Sequence, residues 1–493
     1  MEVNFKLNKD FEKTLKVIDE KYGEDFEILN GFHESQLNFS DFINGFVDKN
    51  VADVTIDGNA NAHHKDICSL KGEKGKSEDK LFAFNKIFYE IKKKYGLKTA
   101  KEWLETEYNG GFYLHDAPSS TFLPYCYAYD LSRLATEGLF FLDGYNNQPP
   151  KHLTTFLDDV IEFVSFMSNR SSGACGLPNV LLWTYYFWKK DCETGYYIKD
   201  KDYYLKQSFQ KFIFRLNQPF LRVDQTAFVN VSIFDRPYFE SLFGGIEFPN
   251  GEFAIDFEDD FMEHQKIFMN VVSDIRSQNL FTFPVLTYSL LYKDGKFQDE
   301  EFARWCSDHN TKWNDSNFFM SDNVGVLSNC CRLLSDTSKL EGFINSIGGT
   351  ALSIGSIKVN TINLMRIAYE SEKDEKKFLS LLKKRTLLDC KTLDIIRHII
   401  QRNIEKGLLP NYCDGGIEMS KQYCTIGILG LYEVIEAFGY TKKDEFGNVY
   451  YTEDGIEFSK KIFKIINNVK DTFTDNYSFN VESVPKMSGY EVE

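Results

Sequence analysis

The run FTFPVLTYSLL at residues 281–291 sets the fold class. It is short, apolar and rich in β-branched and aromatic residues, which suits a strand buried on both faces. Similar short runs follow at NFFMS (317–321), GTALSIGSI (349–357) and VNTINL (359–364), with helical stretches between them. Short core strands alternating with helices are the pattern of an α/β domain. Working outward, TAFVNVSIF (226–234) predicts another buried strand. Apolar residues at three- and four-residue spacing predict helices at 79–107, 128–138, 152–170 and 200–218, the first ended by Asn109-Gly110-Gly111. Residues 374–408 and 456–473 read as long charged helices, 440–455 as a polar hairpin, and 1–45 as one or two amphipathic helices.

At 493 residues the chain is long for one compact domain. It nevertheless has no repeats, no low-complexity tract and no Pro/Gly/Ser linker, which favours one interlocked domain with an N-terminal helical layer. Hydrophobic residues make up 43%, enough for a substantial core. The net charge of −16 does not suit a broad polynucleotide-binding surface, which needs a positive stripe. A small nucleotide remains compatible, because helix N-termini bind phosphate whatever the global charge. The N-terminal MEVNFKLNKDFEKTLKVIDEKYGEDF is charged, unlike a signal peptide, and no long uncharged apolar stretch predicts a membrane span. The expected location is the cytoplasm. Ten cysteines occur without any C-x-x-C pair, so reduced thiols are expected and a structural zinc site is not.

Several segments could carry chemistry. In SDNVGVLSNCCRLLSD (321–336) the adjacent Cys330 and Cys331 precede Arg332. Vicinal cysteines pair only with strain. The polar, Gly-containing run before them reads as a loop, where a sulfur is accessible; two packed thiols are the bland reading. A second segment, GGFYLHDAPSSTFLPYCYAYDLSRL (110–134), places Cys126 after His115 and Asp116. Neighbours on a strand point to opposite faces, so His115 reads as a structural histidine and Asp116 as a turn residue. Cys126 alone would be core. A third, GSIKVNTINLMRIAYE (355–370), offers Ser356, Asn360 and Asn363 as candidate substrate-binding residues, in a stretch that could present N–H groups to an anion. In CDGGIEMSKQYCTIGILGLYE (413–433), Gly427 and Gly430 read as close helix packing.

Taken together, these segments resemble the class III (anaerobic, glycyl-radical) ribonucleotide reductases in order and spacing. The resemblance runs from VADVTIDGNANAHHKD (51–66) through GGFYLHDA and PYCYAYDLSRL. It continues through FIFRLNQPFLRVDQTAFVNVSIF (212–234), SNCCRLLSD and GSIKVNTINLMRIAYE, and on to QYCTIGILGLYE and FNVESVPK (479–486). It covers most of the chain. It implies an α/β fold: a ten-stranded α/β barrel of two half-barrels with a central finger loop, surrounded by helices. Residues 1–50 would be an N-terminal helical extension without a clear ATP-cone, and 51–493 the catalytic barrel.

The resemblance also implies the chemistry, which is reduction of ribonucleoside triphosphates to deoxyribonucleoside triphosphates. Cys331, immediately before Arg332, matches the finger-loop cysteine that becomes a thiyl radical and removes the ribose 3′-hydrogen. Cys330 is the alternative at that tip. Cys126 matches the second thiol, on the opposite face of the sugar. The reductant would be formate or a dithiol protein. Formate users carry Asn where Ser356 or Ile357 stands here, and Lys358 occupies a place usually held by glycine. ATP or dNTP effectors, a homodimer and a radical-SAM activase are further expectations. No R-V-x-G-Y motif is present, and Gly489 before Tyr490 lacks its flanking pattern. The glycyl radical and its neighbouring zinc are therefore expected on a segment outside this chain, carried by a complementing C-terminal chain. An interrupted gene, or an inactive nucleotide-binding paralogue, would account for the same missing motif. A glycyl-radical enzyme of the pyruvate formate-lyase type is the alternative enzyme class.

Overall fold

The computed structural model describes residues 6–22, 67–142, 148–196, 200–218, 221–222, 226–278, 281–324, 326–328, 334–336, 354–413, 417–473 and 479–483. In chain order the first strands are β1 (Phe112–Leu114), β2 (Cys126–Ala128), β3 (Cys175–Gly176), β4 (Val229–Phe234) and β5 (Val285–Lys293). Then come β6 (Lys296–Phe297), β7 (Ser316–Ser321), β8 (Val326–Ser328), β9 (Leu334–Asp336) and β10 (Gly355–Asn363). The last are β11 (Gln422–Leu429), β12 (Thr441–Lys443), β13 (Val449–Tyr451) and β14 (Phe479–Ser483).

Ten of these strands form one sheet, built from two parallel sets. In the first, β2, β3, β4, β5 and β7 run side by side in that order. In the second, β10, β11 and β14 do the same. The sets meet antiparallel where Gly355 pairs with Tyr127 and Ser356 with Cys126. β1 adds antiparallel to β10, and β6 turns back on the end of β5. The result is a curved half-barrel sheet surrounded by helices. Among the described residues β14 and β7 are not paired, so the sheet is open there. The separate hairpin β8–β9 lies beside both ends, with β8 near β5 and β9 near β14.

Each parallel set carries its own outer core. Around β2–β5 the helices Leu153–Ser168, Val180–Thr194, Lys201–Leu216 and Glu258–Arg276 bury residues such as Tyr127, Val231 and Leu286. Around β10–β11 the helices Ile67–Tyr95, Leu97–Tyr108, Glu375–Glu405 and Glu453–Thr472 bury Ile357, Ile362, Ile426 and Ile428. Strands β4 and β11 are buried along their whole length. This is what strands covered by helices on one face and by the fold's interior on the other require. The buried polar residues of β4, β10 and β11, such as Asn230, Ser232, Thr361 and Thr425, are tolerated because hydrogen-bond partners are at hand.

The structure departs from the sequence reading in several places. The stretch 79–107 is not one helix: Gly96, at φ 90°, divides Ile67–Tyr95 from Leu97–Tyr108. A left-handed φ costs glycine nothing, so the chain turns there. Residues 128–138 begin as the end of β2, and only Ser132–Glu137 is helical. Gly427 lies in β11 rather than in a helix, and a methyl there would stand 2.2 Å from the Thr361 hydroxyl across the sheet. The hairpin predicted at 440–455 is present as β12–β13. No described helix is long and apolar enough to cross a membrane.

Candidate active site

Where the two strand sets meet, a cavity of about 190 Å³ opens beside Cys126. Cys126 is the first residue of β2 and is fully buried. Its neighbour Tyr127 turns to the outer core, as strand alternation demands. Backbone bonds hold the sulfur in place from both sides. Tyr125 N–H donates to the Ser356 carbonyl at 3.1 Å, and Tyr127 N–H to the Ala174 carbonyl at 3.0 Å. The Ala174 N–H donates to the Cys126 sulfur at 3.1 Å. Gly173 passes directly beneath that sulfur, donating to the Tyr125 carbonyl at 2.8 Å.

Arg222 closes the same wall. Its guanidinium, 8% exposed, donates to the carbonyls of Ser172 and Gly173. Those bonds fix the segment lying against Cys126. β1 contributes Tyr113 to the lining, and the turn after it contributes His115 and Asp116. β1 ends at Leu114, so His115 and Asp116 are turn residues and not strand neighbours facing opposite ways; both line the cavity. His115 Nε2 is 2.9 Å from the Thr361 hydroxyl, and burial, with Lys358 nearby, lowers it to about 4. It is therefore a neutral imidazole near pH 7. Asp116 is exposed, with φ 43° and ψ 51°.

Lys358 reaches this turn from β10. It is fully buried, and its Nζ donates to the Asp116 carbonyl at 2.9 Å. The β10–β11 register shifts between Ser356 and Lys358, a bulge that re-aims side chains at this point. Burial pulls the ammonium down to about 8; Asp116 and Cys126 oppose that shift and Arg222 adds to it.

The other proposed residues lie apart from the cavity wall. Ser356, though opposite Cys126 in register, bonds the Thr425 hydroxyl at 2.8 Å and the Lys358 carbonyl at 3.1 Å. Asn360 donates to Asp389 at 2.7 Å behind the sheet. Asn363 caps the helix Leu364–Glu370 and donates to the Gly110 carbonyl at 3.1 Å. Cys330 and Cys331 lie outside the described residues. The stretch before them is not all loop, since Val326–Ser328 pairs with Leu334–Asp336 as an antiparallel hairpin. Gly173 and Arg222 gave no sequence signal of their own, because neither stands in a motif recognisable by spacing. Among the described residues no group of three or more His, Cys, Asp or Glu could hold a metal ion.

A model of the family described as anaerobic ribonucleoside-triphosphate reductase matches residues 77–488. Crystal structures of the anaerobic ribonucleotide reductase from Thermotoga maritima are similar throughout. The one with citrate in the active site has 37% identity and a TM-score of 0.86, covering 99% of this chain and 85% of that one. The one in complex with dATP and CTP has 37% identity and a TM-score of 0.85, covering 98% and 77%. The one with dATP in the specificity site has 37% identity and a TM-score of 0.85, covering 98% and 78%. None of the curated proteins matches. The chain belongs to the anaerobic ribonucleoside-triphosphate reductase family. Its activity is radical-based reduction of ribonucleoside triphosphates to deoxyribonucleoside triphosphates, an oxidoreductase reaction that supplies DNA replication.

Proposed function

We propose that two cysteines divide this reaction, Cys331 acting on one face of the ribose and Cys126 on the other. The observation that carries the reading is the position of Cys126 in the cavity where the two strand sets meet. The hairpin β8–β9, between whose arms residues 329–333 fall, lies beside both ends of the sheet. In this reading the sheet closes as a ten-stranded barrel of two half-barrels, and that hairpin is its finger loop. Cys331 takes the 3′-hydrogen, with Cys330 as its alternative, and Cys126 serves the departing 2′-hydroxyl. Rigid strands suit this division, since small displacements of reacting atoms are costly.

A glycyl radical, when present, supplies the unpaired electron that lets a cysteine accept a hydrogen atom. It and its zinc would come from a segment carrying them, acting together with a radical-SAM activase. The described residues hold no metal-ligating cluster that would stand in for that zinc site. The hydroxyl of Ser356 is bonded to Thr425 and to the Lys358 carbonyl. That engagement favours a dithiol protein over formate as reductant. The dATP and CTP bound by the Thermotoga maritima enzyme support nucleotide effectors and a ribonucleoside triphosphate substrate here, in a homodimer as the assembly of this reading.

The test is deoxynucleotide formation by the activated, complemented enzyme. Cys126→Ala and Cys331→Ala should each drop to background while Cys330→Ala retains activity. Mild oxidation should link Cys126 to Cys331, detected by peptide mapping. Full turnover by Cys126→Ala would sink the reading.

A further inference from the structure

His115 lines the cavity together with Cys126, and three neighbours hold its ring. Its Nε2 is 2.9 Å from the Thr361 hydroxyl. The rings of Tyr113 and Tyr125 meet it edge-on, at centroid distances of 4.9 and 6.0 Å. Thr361 lies in β10 and is 1% exposed. It pairs with Tyr113 on one side and with Gly427 on the other. The Thr361 hydroxyl stands in the space that a side chain at Gly427 would fill.

These contacts decide where the imidazole carries its proton. The ring is neutral near pH 7, so one nitrogen donates and the other accepts. Among the described residues the Thr361 hydroxyl has one partner, His115 Nε2. A buried hydroxyl proton without an acceptor is costly, and an unused oxygen lone pair is less so. The hydroxyl therefore donates to Nε2, and the ring proton sits on Nδ1. That nitrogen bonds to none of the described residues, and they do not seal it off.

We propose that Thr361 is a positioning residue for the nucleotide: by donating to His115 Nε2 it keeps the ring proton on Nδ1, and this N–H donates to a ribose hydroxyl oxygen in the cavity. His115 is then a substrate-binding residue, not the structural histidine that its place in the sequence suggests. The ribose is the part of the nucleotide that must lie beside Cys126, so this step rests on the reading of Cys126 as the second thiol. A sugar hydroxyl accepts as well as donates, and a neutral N–H suits it without adding charge beside the sulfur. A donor gripped by Thr361 and two aromatic edges fixes the orientation of the sugar to the reacting thiol.

The test needs no turnover. The full chain, with isotopic nitrogen in its histidines, is followed by nuclear magnetic resonance. The His115 signals are assigned by their loss in His115→Gln and by their shift in Thr361→Val, so neither variant alone carries the assignment. In the native chain Nδ1 should carry the proton. Thr361→Val keeps the shape and removes the hydroxyl, so the ring should revert to the Nε2–H form that free histidine prefers. Thr361→Ser should restore the native form. Adding CTP should shift the Nδ1 signal, and inorganic tripolyphosphate should leave it in place. The CTP affinity read from that shift should fall about three- to tenfold in Thr361→Val, as for the loss of one neutral hydrogen bond, and recover in Thr361→Ser. A native ring protonated on Nε2 overturns the proposal. So does an Nδ1 signal that CTP leaves unmoved, or that tripolyphosphate moves equally. These failures leave the Cys126→Ala assay, and the reading it tests, untouched. Full turnover by Cys126→Ala would in turn leave the tautomer result as it stands.

Discussion

Gly173 leaves no space for a side chain beside Cys126: a methyl group there would stand 2.3 Å from the sulfur. The same methyl would lie 3.1 Å from the Tyr125 ring and from the Tyr125 carbonyl. The close approach lets the neighbouring Ala174 N–H reach the sulfur. The position of the sulfur is thus set by a missing side chain as much as by the bonds around it.

Gly173→Ala should therefore displace Cys126 before it unfolds the protein. Overpacking of this kind costs about 1–3 kcal/mol. Activity should fall far more, by about a hundredfold, because the reacting sulfur moves. Thermal unfolding and deoxynucleotide formation measured on one preparation separate the two effects.

Gly355→Ala attacks the junction itself. A methyl there would meet the Cys126 carbonyl at 2.0 Å and the Tyr127 ring at 2.6 Å. Backbone cannot swing aside as a flexible side chain can, so the β2–β10 pairing should break. A loss above about 3 kcal/mol is expected in denaturant unfolding. Unchanged stability would show that the two strand sets do not depend on this pairing.

Arg222→Met keeps much of the side-chain volume but removes the donors to the Ser172 and Gly173 carbonyls. Leaving buried carbonyls without their partners costs about 1–3 kcal/mol each. Hydrogen exchange at the Gly173 and Ala174 amides should rise in the variant. Arg222→Lys should recover only part of the loss, since one ammonium cannot reproduce a fork.

Glu107 provides a pH-dependent prediction away from the cavity. Burial raises its carboxyl to about 7, although the Trp103 indole N–H donates to it at 3.1 Å. Burial also raises Asp389, which accepts from Asn360. The folded state holds the Glu107 proton more tightly than the unfolded state, so stability falls as pH rises from the ordinary carboxylate range through about 7. Glu107→Gln removes that cost. It should be more stable than the native chain at about pH 8, by up to about 3 kcal/mol, with the difference vanishing near about pH 4. Denaturant midpoints at both pH values check the sign.

How much was legible in advance differs element by element. TAFVNVSIF and FTFPVLTYSLL announced β4 and β5, because strands buried on both faces must be apolar nearly throughout. The helices at 153–168, 201–216 and 375–405 were plain from their periodic apolar faces. The Gly96 break was not, since apolar spacing continues across it and only the backbone angle reveals the turn.

The sequence by itself determined the α/β class, most elements and, through the order of its motifs, the family. It also marked Cys126, because a motif can be recognised from neighbours in the chain. Tertiary structure alone decided that Gly173 and Arg222 line the cavity with that sulfur, that Lys358 reaches the Asp116 carbonyl, and that Ser356, Asn360 and Asn363 spend their polar groups inside the fold. The physical reason is that a cavity between two strand sets is made of residues distant in the chain. Their spacing carries no period, and their roles come from what each meets across the sheet.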